Sequence, residues 1–325
     1  MSDSPRRVAL TGVSGFVGTH LAKGMLARGI EVRALVRKAV PWLPAQHPGF
    51  TLVHGDIRSP QAARRLLEGA DALFHTAAVV APWVPRPSDL LETNIGGTQV
   101  LLEEAAAREI PSVVTNSIVA LDPYPPPRMI RLFDHNYYLE SKRATLDLIR
   151  KDRQRGQHVT ALLPSGIVGP FDHRPTAIGR VIREAMAGKA PPISFSGGMY
   201  LIDVRDVAEA HFLAVQATAG DYVLPGEFWS LDRLYSFVAA LAGRQPHQVQ
   251  VPAWLAMSGA ALLTAWSKTW TRQPPLITPA WVYSFHHAGS RNYPDDTDRL
   301  GLTPRPVADA ITDAASWFAE SAGHA

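Results

Sequence analysis

The first half of the chain alternates short apolar runs with longer segments whose apolar residues recur at helical spacing. The apolar runs predict six buried β-strands, at residues 7–12, 32–36, 50–56, 71–78, 111–117 and 159–166. Helices are predicted between them, at residues 19–28, 60–69, 94–108 and 138–155. This alternation is typical of the α/β class, in which a doubly wound parallel sheet is covered by helices on both faces.

After residue 166 the pattern loosens. Proline and glycine become frequent, as in "GPFDHRP" at 169–175. Such composition predicts a smaller C-terminal lobe that lies over the strand ends, where sheets of this kind bind ligands. We therefore expect this lobe to bind the substrate.

Composition narrows the function classes. The 325 residues are 46% hydrophobic and 19% charged, and the formal net charge is +3. The positive charges are not clustered, so nucleic-acid binding is not indicated. The absence of cysteine excludes disulfides and thiolate chemistry. Because the N-terminus lacks the apolar core of a signal peptide, we expect a cytoplasmic enzyme.

The first strand runs directly into "TGVSGFVG", with Gly12, Gly15 and Gly18 at the start of a predicted helix. Glycines here allow a tight turn and bring backbone N–H groups close to a pyrophosphate at the positive end of the helix. A tight turn without a ligand produces the same pattern. The flanking strand and helix favour a dinucleotide site.

The end of the second strand predicts which dinucleotide binds. Enzymes that use NAD place a carboxylate there for the ribose 2′-hydroxyl. This chain has Arg37 and Lys38 instead, and two cations suit a 2′-phosphate. The prediction is NADP(H) rather than NAD, although a solvated pair of cations on a loop is the alternative.

Two tyrosines precede a lysine in "NYYLESK". Tyr138 and Lys142 are four residues apart on a predicted helix and share a face, whereas Tyr137 points about 100° away. An ammonium group near a phenol favours the phenolate and lowers its pKa. We expect Lys142 to lower the pKa of Tyr138, which would exchange a proton with the substrate, and to hold the nicotinamide ribose.

The glycine spacing and Tyr-x-x-x-Lys, with a serine before the lysine, resemble the extended short-chain dehydrogenases/reductases. The resemblance covers almost the whole chain and implies a Rossmann fold, an NADP-binding core of residues 1–165 with 201–216, and a substrate lobe of residues 166–200 and 217–325. It also implies a homodimer formed through two core helices, including the one that bears Tyr138. The resemblance also implies cofactor contacts by Tyr138, Lys142 and by Ser14, Phe16, Val17, Asp56, Ile57, Thr76, Ala77, Ala78, Pro164, Gly166 and Ile167.

In that family the catalytic serine or threonine follows the fifth strand, where this chain reads Thr115-Asn116-Ser117. Ser117 aligns best, and its hydroxyl would donate to the substrate oxygen as negative charge develops there. Asn116 departs from the commonest Thr-Ser-Ser, which leaves Thr115 as an alternative hydroxyl. A serine that only caps a turn would look the same.

Asn94 matches a family asparagine that orients backbone or a proton-relaying water; a helix N-cap is the alternative. We interpret His75 as packed or beside the cofactor rather than as an acid or base. The other histidines lack the spacing of metal ligands, so no metal site is predicted.

Ser165 stands where sugar-nucleotide epimerases commonly have an asparagine. Together with Arg37, it indicates the branch similar to dihydroflavonol reductases and 3β-hydroxysteroid dehydrogenases, although the chain also resembles the hopanoid-associated sugar-epimerase group. The implied function is hydride transfer between NADP(H) and a ketone, an aldehyde or a secondary alcohol of a hydrophobic small molecule. The alternatives are a nucleotide-sugar epimerase or dehydratase with retained NAD, and a non-catalytic NADP-sensing regulator.

Residues 251–270 are almost entirely apolar or small and include Trp254, Trp266 and Trp270. The run is shorter than the ~18–20 residues that span a bilayer. It predicts a helix that is buried in the lobe, covers an apolar pocket, or makes peripheral contact with a membrane.

Overall fold

The computed structural model describes residues 5–81, 84, 86–122, 136–189, 193–245, 249–271, 273, 275 and 277–322. Its strands, numbered along the chain, are β1 (Arg7–Thr11), β2 (Glu31–Val36), β3 (Phe50–His54), β4 (Ala72–His75), β5 (Ser112–Thr115), β6 (Val159–Pro164), β7 (Gly166–Val168), β8 (Ile193–Phe195), β9 (Gly198–Asp203), β10 (Asp221–Leu224), β11 (Glu227–Ser230) and β12 (Val249–Val251).

A seven-stranded parallel sheet forms the core, in the order β10-β6-β5-β4-β1-β2-β3. From β1 the chain adds β2 and β3 on one side of the sheet and then β4, β5, β6 and β10 on the other side. The carboxyl ends of β1 and β4 therefore border the crevice where such sheets bind ligands. The six predicted strands and the doubly wound α/β class are confirmed.

The seventh strand, β10, was not predicted, and the assignment of residues 221–224 to the lobe is wrong. This strand pairs with β6 at the edge of the core sheet. Its apolar run is only four residues long, which is too short to distinguish a core strand from the irregular segments around it. Leu300 and Leu302 also pack into the core cluster, although they too lie in the range that we assigned to the lobe.

The helices, numbered in the same way, are α1 (Phe16–Ala27), α2 (Pro60–Leu67), α3 (Pro87–Leu91), α4 (Gly97–Ala106), α5 (Tyr137–Gln154), α6 (Ala177–Met186), α7 (Val204–Ala214), α8 (Leu231–Leu241), α9 (Ala253–Trp266), α10 (Pro279–Ala288), α11 (Thr297–Leu300) and α12 (Val307–Ala322). Helices α1 and α7 pack on one face of the sheet, and α2, α4 and α5 pack on the other. Within β1, Val8 and Leu10 belong to the first of these layers and Ala9 to the second, as the period of a strand requires.

The second lobe contains a three-stranded sheet, β11-β9-β7, and a two-stranded sheet, β12-β8. Trp229 is almost fully buried at the centre of a cluster between α6, α8 and α12. Because β7 follows β6 after a single residue, Ser165, the lobe begins directly at the carboxyl end of the core sheet.

Helix α9 is not buried in the lobe. Only Ala253, Ala260 and Thr264 of this helix are buried. Trp254 is 64% exposed and Leu262 is 73% exposed. In the parts of the chain that the structure describes, no helix combines the length and apolarity needed to cross a membrane.

Candidate active site

The turn between β1 and α1 is built for close approach of a ligand. Gly12 has a φ of +74°, and a Cβ there would lie 2.5 Å from Thr76 Oγ1. A Cβ on Gly18 would collide with the carbonyl oxygen of Gly12. Helix α1 begins after Gly15 with no side-chain cap and no acidic residue in its first turn. Its first N–H groups can therefore bind an anion, so this turn fits a dinucleotide pyrophosphate.

The predicted contact residues Ser14, Phe16 and Val17 follow Gly12 and are all partly exposed. They lie on the first turn of α1 and the residues just before it, where a bound pyrophosphate would reach them. The structure thus places this part of the predicted cofactor site on an accessible surface.

The rim that follows β2 and β3 is positively charged. Arg37 and Lys38 are exposed immediately after β2. Asp56 accepts hydrogen bonds from Arg58 Nε at 2.9 Å and from Arg58 Nη2 at 3.0 Å. Arg58, and more weakly Arg37, lower the pKa of Asp56. Arg58 therefore adds to the rim a guanidinium that was not predicted from the sequence, and it is held beside Asp56, a predicted cofactor contact.

The residues after β4 connect back to β1. Thr76 Oγ1 donates to Thr11 O at 2.8 Å, and the Ala77 N–H donates to Thr11 Oγ1 at 3.3 Å. Ala78 follows and is partly exposed. Ile57 packs against α4, where a Cβ on Gly97 would lie 2.6 Å from Ile57 Cδ1. These contacts define one wall of the crevice.

His75 belongs to a buried chain of hydrogen bonds. The Thr98 hydroxyl donates to Asn94 O at 2.6 Å, so it accepts from His75 Nε2 at 2.9 Å. His75 Nδ1 then accepts from the Thr11 hydroxyl at 2.6 Å. Burial, assisted by the charge of Lys142, lowers the pKa of His75 to about 3. His75 is therefore a neutral packed residue at physiological pH.

Ser117 and Tyr138 are brought together by the ends of β5 and α5. Their side chains are hydrogen-bonded to each other. Ser117 Oγ also accepts from the Val119 N–H at 3.4 Å, at the start of a 3-10 turn (Ile118–Leu121). Ser117 therefore caps a turn and presents its hydroxyl to Tyr138 at the same time.

The alternative hydroxyl, that of Thr115, is used elsewhere. His211 Nδ1 donates to Val207 O at 2.7 Å, so His211 Nε2 accepts from Thr115 Oγ1 at 2.8 Å. Thr115 is thus directed toward α7. Of the two candidates, Ser117 is the one beside Tyr138.

The titration of the Tyr138–Lys142 pair differs from our expectation. Burial raises the pKa of Tyr138 to about 12, although the hydrogen bond with Ser117 acts in the opposite direction. Lys142 Nζ lies 5.9 Å from the centre of the phenol ring and donates to Thr115 O at 3.3 Å. The prediction of a lowered pKa is wrong, because burial outweighs the opposing influence, which comes from Ser117 rather than from Lys142. At neutral pH Tyr138 is a protonated phenol.

Lys142 is itself buried, and burial lowers its pKa to about 8. At pH 7 most molecules therefore carry an ammonium at this position. The ammonium group of Lys142 lies at the carboxyl end of β5, between the strand that leads to Ser117 and the helix that carries Tyr138.

Asn94 lies inside a π-helical turn (Glu92–Gly96) rather than at a helix N-cap, so the capping alternative is wrong. Its Oδ1 accepts from the Val79 N–H at 2.7 Å, and its Nδ2 donates to Val79 O at 3.1 Å. Nδ2 also donates to Ser141 Oγ at 3.0 Å, and Ser141 Oγ donates to Tyr138 O at 2.8 Å. Asn94 therefore orients backbone: it connects the segment after β4 to the first turn of α5.

Asn116 is a positioning residue that sequence reasoning missed, having noted it only as a departure from the family pattern. It is buried, and its Nδ2 donates to Lys142 O at 3.1 Å. This bond fixes α5 against the end of β5 from the side opposite Asn94. A buried amide in the middle of a hydroxyl-rich motif was the available signal, because buried amides require partners.

The predicted cofactor contacts Pro164, Gly166 and Ile167 lie where β6 ends and β7 begins. Pro164 is the last residue of β6, and Gly166 and Ile167 open β7. A Cβ on Gly166 would lie 2.7 Å from Ile178 Cδ1, so the backbone here packs closely against the lobe. Ser165 is buried, and its Oγ has no hydrogen-bond partner within the described residues.

No group of three or more His, Asp or Glu side chains within the described ranges lies close enough together to hold a metal ion.

This combination of fold and site defines a protein class. The model of the NAD dependent epimerase/dehydratase family matches residues 8–224, and the chain belongs to this family of extended short-chain dehydrogenases/reductases.

Individual relatives cover nearly the whole chain. It is 29% identical to sterol demethylase protein B of Methylococcus capsulatus, over 96% of this chain and 98% of the relative. It is 26% identical to the 2-alkyl-3-oxoalkanoate reductase of Shewanella oneidensis, over 83% of this chain and 75% of the relative. Among solved structures, that of gox2253 superimposes with a TM-score of 0.78 at 27% identity, covering 97% of this chain and 98% of the other.

Proposed function

We propose that this protein is an NADP(H)-dependent oxidoreductase that transfers hydride between the nicotinamide and a carbonyl or secondary alcohol of a hydrophobic small molecule. The observation that supports this most is the hydrogen bond between Ser117 and a Tyr138 whose pKa is raised to about 12. A phenol that stays protonated at neutral pH is suited to give a proton to a carbonyl oxygen.

The roles of the side chains follow from their positions. A bound nicotinamide supplies hydride to the carbonyl carbon. Ser117 Oγ donates a hydrogen bond to the carbonyl oxygen, and Tyr138 Oη gives that oxygen its proton. Lys142 Nζ provides a buried positive charge 5.9 Å from the centre of the Tyr138 ring, where it would hold the ribose of a bound cofactor.

The choice of NADP(H) is supported by the charges at the rim. Arg37, Lys38 and Arg58 are exposed at the carboxyl ends of β2 and β3. Asp56 is already bound to Arg58, so its carboxylate is partly neutralised before a cofactor arrives. An arginine fork fits the oxygens of a 2′-phosphate.

An apolar substrate is supported by the relatives and by Ser165. The names of the relatives, a sterol demethylase protein and a 2-alkyl-3-oxoalkanoate reductase, indicate substrates with large hydrocarbon parts. Ser165 offers one hydroxyl where an amide would be needed to bind a sugar diphosphate.

A second candidate is a nucleotide-sugar epimerase or dehydratase that retains NAD. The family model that matches the chain includes such enzymes. In that case the same serine and tyrosine would act on a sugar hydroxyl, and hydride would return to the same substrate.

The two candidates differ in what the purified protein contains. The protein should be purified without added nucleotide and denatured, and any released dinucleotide should be identified by mass spectrometry. Empty protein that then binds NADPH more tightly than NADH supports the reductase. Near-stoichiometric NAD would overturn the reductase in favour of the second candidate.

A further inference from the structure

Helix α9 exposes an apolar half. With a rotation of about 100° per residue, Trp254, Leu255, Leu262, Leu263 and Trp266 fall on one half of its circumference. All five side chains are exposed. The opposite half packs on the lobe through Ala253, Ala260 and Thr264, which are buried, and through Met257, which is partly buried.

The exposed apolar side chains of the molecule are concentrated around this helix. Of the ten large hydrophobic residues that are exposed within the described ranges, nine lie between residues 193 and 270. Ile193 of β8 and Val249 of β12 are direct neighbours in the two-stranded sheet, and β12 leads into α9 through Pro252. Trp266 and Trp270 stack with their ring centres 5.0 Å apart at the far end. We call this surface, formed by β8, β12, α9 and Trp270, the apolar face.

The segment that carries most of the apolar face lacks acidic residues. Residues 233–294 contain no aspartate or glutamate, whereas the whole chain has 29 acidic residues. The same segment contains the cations Arg233, Arg244, Lys268, Arg272 and Arg291. Arg244 and Lys268 are exposed and border a stretch, 245–267, that has no charged residue at all.

We propose that the apolar face docks on the surface of an anionic lipid bilayer. Tryptophan and leucine side chains enter the boundary between headgroups and acyl chains, and tryptophan prefers that boundary. Arg244 and Lys268, at the two ends of the uncharged stretch, bind the anionic headgroups. The helix lies in the plane of the membrane surface and does not cross it. This proposal does not depend on the reaction that the active site performs.

Charge complementarity favours lipid over a second copy of the chain. If two apolar faces met, the exposed Arg244 and Lys268 of both copies, at the ends of the uncharged stretch, would approach one another. Such like-charge contacts oppose association. An anionic bilayer presents negative charge to both side chains.

The test is co-sedimentation of the full chain with vesicles of phosphatidylcholine alone and of phosphatidylcholine with phosphatidylglycerol. The wild type should bind the anionic vesicles at least about tenfold more tightly than the neutral ones, and added salt should weaken this binding. Leu262→Glu and Trp266→Glu should each lower binding about tenfold or more, since each places a carboxylate in the contact. Both side chains are exposed, so NADPH affinity and the unfolding midpoint should stay unchanged.

The matched control is Gln61→Glu, which adds the same charge to an exposed position on α2 and should leave vesicle binding unchanged. Three results would overturn the proposal. One is a wild type that does not bind anionic vesicles. Another is a pair of glutamate variants that bind as well as the wild type does. The third is a dimer in solution that Leu262→Glu dissociates, which would assign the apolar face to a second copy.

Discussion

Helices α5 and α9 pack on the rest of the molecule in opposite ways. Helix α5 buries polar groups, among them Ser141, Lys142 and Thr145, and each of them is hydrogen-bonded. Helix α9 buries only small side chains and exposes its tryptophans and leucines. The first arrangement specifies one orientation of the helix, and the second leaves a large surface free for contacts.

The difference has a physical basis. A buried hydrogen bond is directional, and leaving one of its partners unsatisfied costs about 1–3 kcal/mol, so α5 is held in one register with Tyr138 beside Ser117. The apolar contacts that Ala256, Met257 and Ala260 make with the lobe are not directional and hold α9 with less geometric precision. We therefore expect substitutions on α5 to alter catalysis and substitutions on the exposed half of α9 to alter only what binds there.

The largest expected effect is that of Tyr138→Phe. Removing the phenolic proton should lower kcat by about 10²–10⁴-fold, the usual contribution of a general acid. NADPH affinity, measured by fluorescence titration, should change by no more than a few fold. Tyr137→Phe is the matched control and should have little effect. Equal losses in the two variants would contradict the assignment of the helix face.

Arg37→Glu tests whether the exposed side chain of Arg37 binds the 2′-phosphate of NADPH. Losing a charge-assisted contact with the 2′-phosphate and adding repulsion should weaken NADPH binding roughly 10–100-fold. NADH binding should remain as it was, because NADH has no phosphate at that position. The measurement is a titration with both cofactors. Unchanged NADPH affinity would exclude Arg37 as the phosphate ligand.

Asn116→Ala tests the attachment of α5 directly. The variant removes one of the two hydrogen bonds that Lys142 O accepts, since the helical bond from the Leu146 N–H remains, and should lower the unfolding free energy by about 0.5–1.5 kcal/mol. It should also lower kcat more than it changes KM, since Tyr138 would no longer be held in place. Ser258→Ala, which removes an exposed hydroxyl from α9, is the matched control and should change the unfolding free energy by less than about 0.5 kcal/mol. Equal losses of unfolding free energy in the two variants, measured by denaturant titration, would contradict the proposed difference between α5 and α9.

The last prediction concerns the pH dependence of stability. Burial lowers the pKa of His211 to about 4, so the folded protein binds fewer protons than the unfolded chain between pH 6.5 and 4. Stability should therefore fall as the pH falls through this window, by about 1.4 kcal/mol per pH unit for this one histidine. His211→Gln cannot become charged, and its stability should decline less steeply with acid. Parallel curves for wild type and variant in urea titrations from pH 6.5 to 4.5 would contradict this assignment.

The parts of the structure that the sequence predicted are those with a local signal. The six long apolar runs, the glycine turn and the spacing of Tyr138 and Lys142 depend on period and neighbours alone. They led to the correct sheet and to residues that the structure brings together.

The parts that could not be predicted depend on contacts between distant segments. The bond from Asn116 to Lys142 O and the ion pair of Arg58 with Asp56 exist only once strand ends and helices have met. The pKa of Tyr138 was predicted in the wrong direction because sequence shows the neighbouring lysine but not the desolvation. For a similar reason the sequence did not decide whether α9 is buried or exposed, because the same apolar residues are compatible with either kind of helix.

The measurement that tests the proposed reaction most directly is isotope transfer. The protein should be incubated with NADPH that carries deuterium in the transferable C4 position and with a panel of hydrophobic ketones, and the products should be analysed by mass spectrometry and NMR. We predict one deuterium on the new carbinol carbon for each NADP⁺ formed, and none with Tyr138→Phe. Conversion of nucleotide sugars without consumption of NADPH and without deuterium in the product would contradict the account.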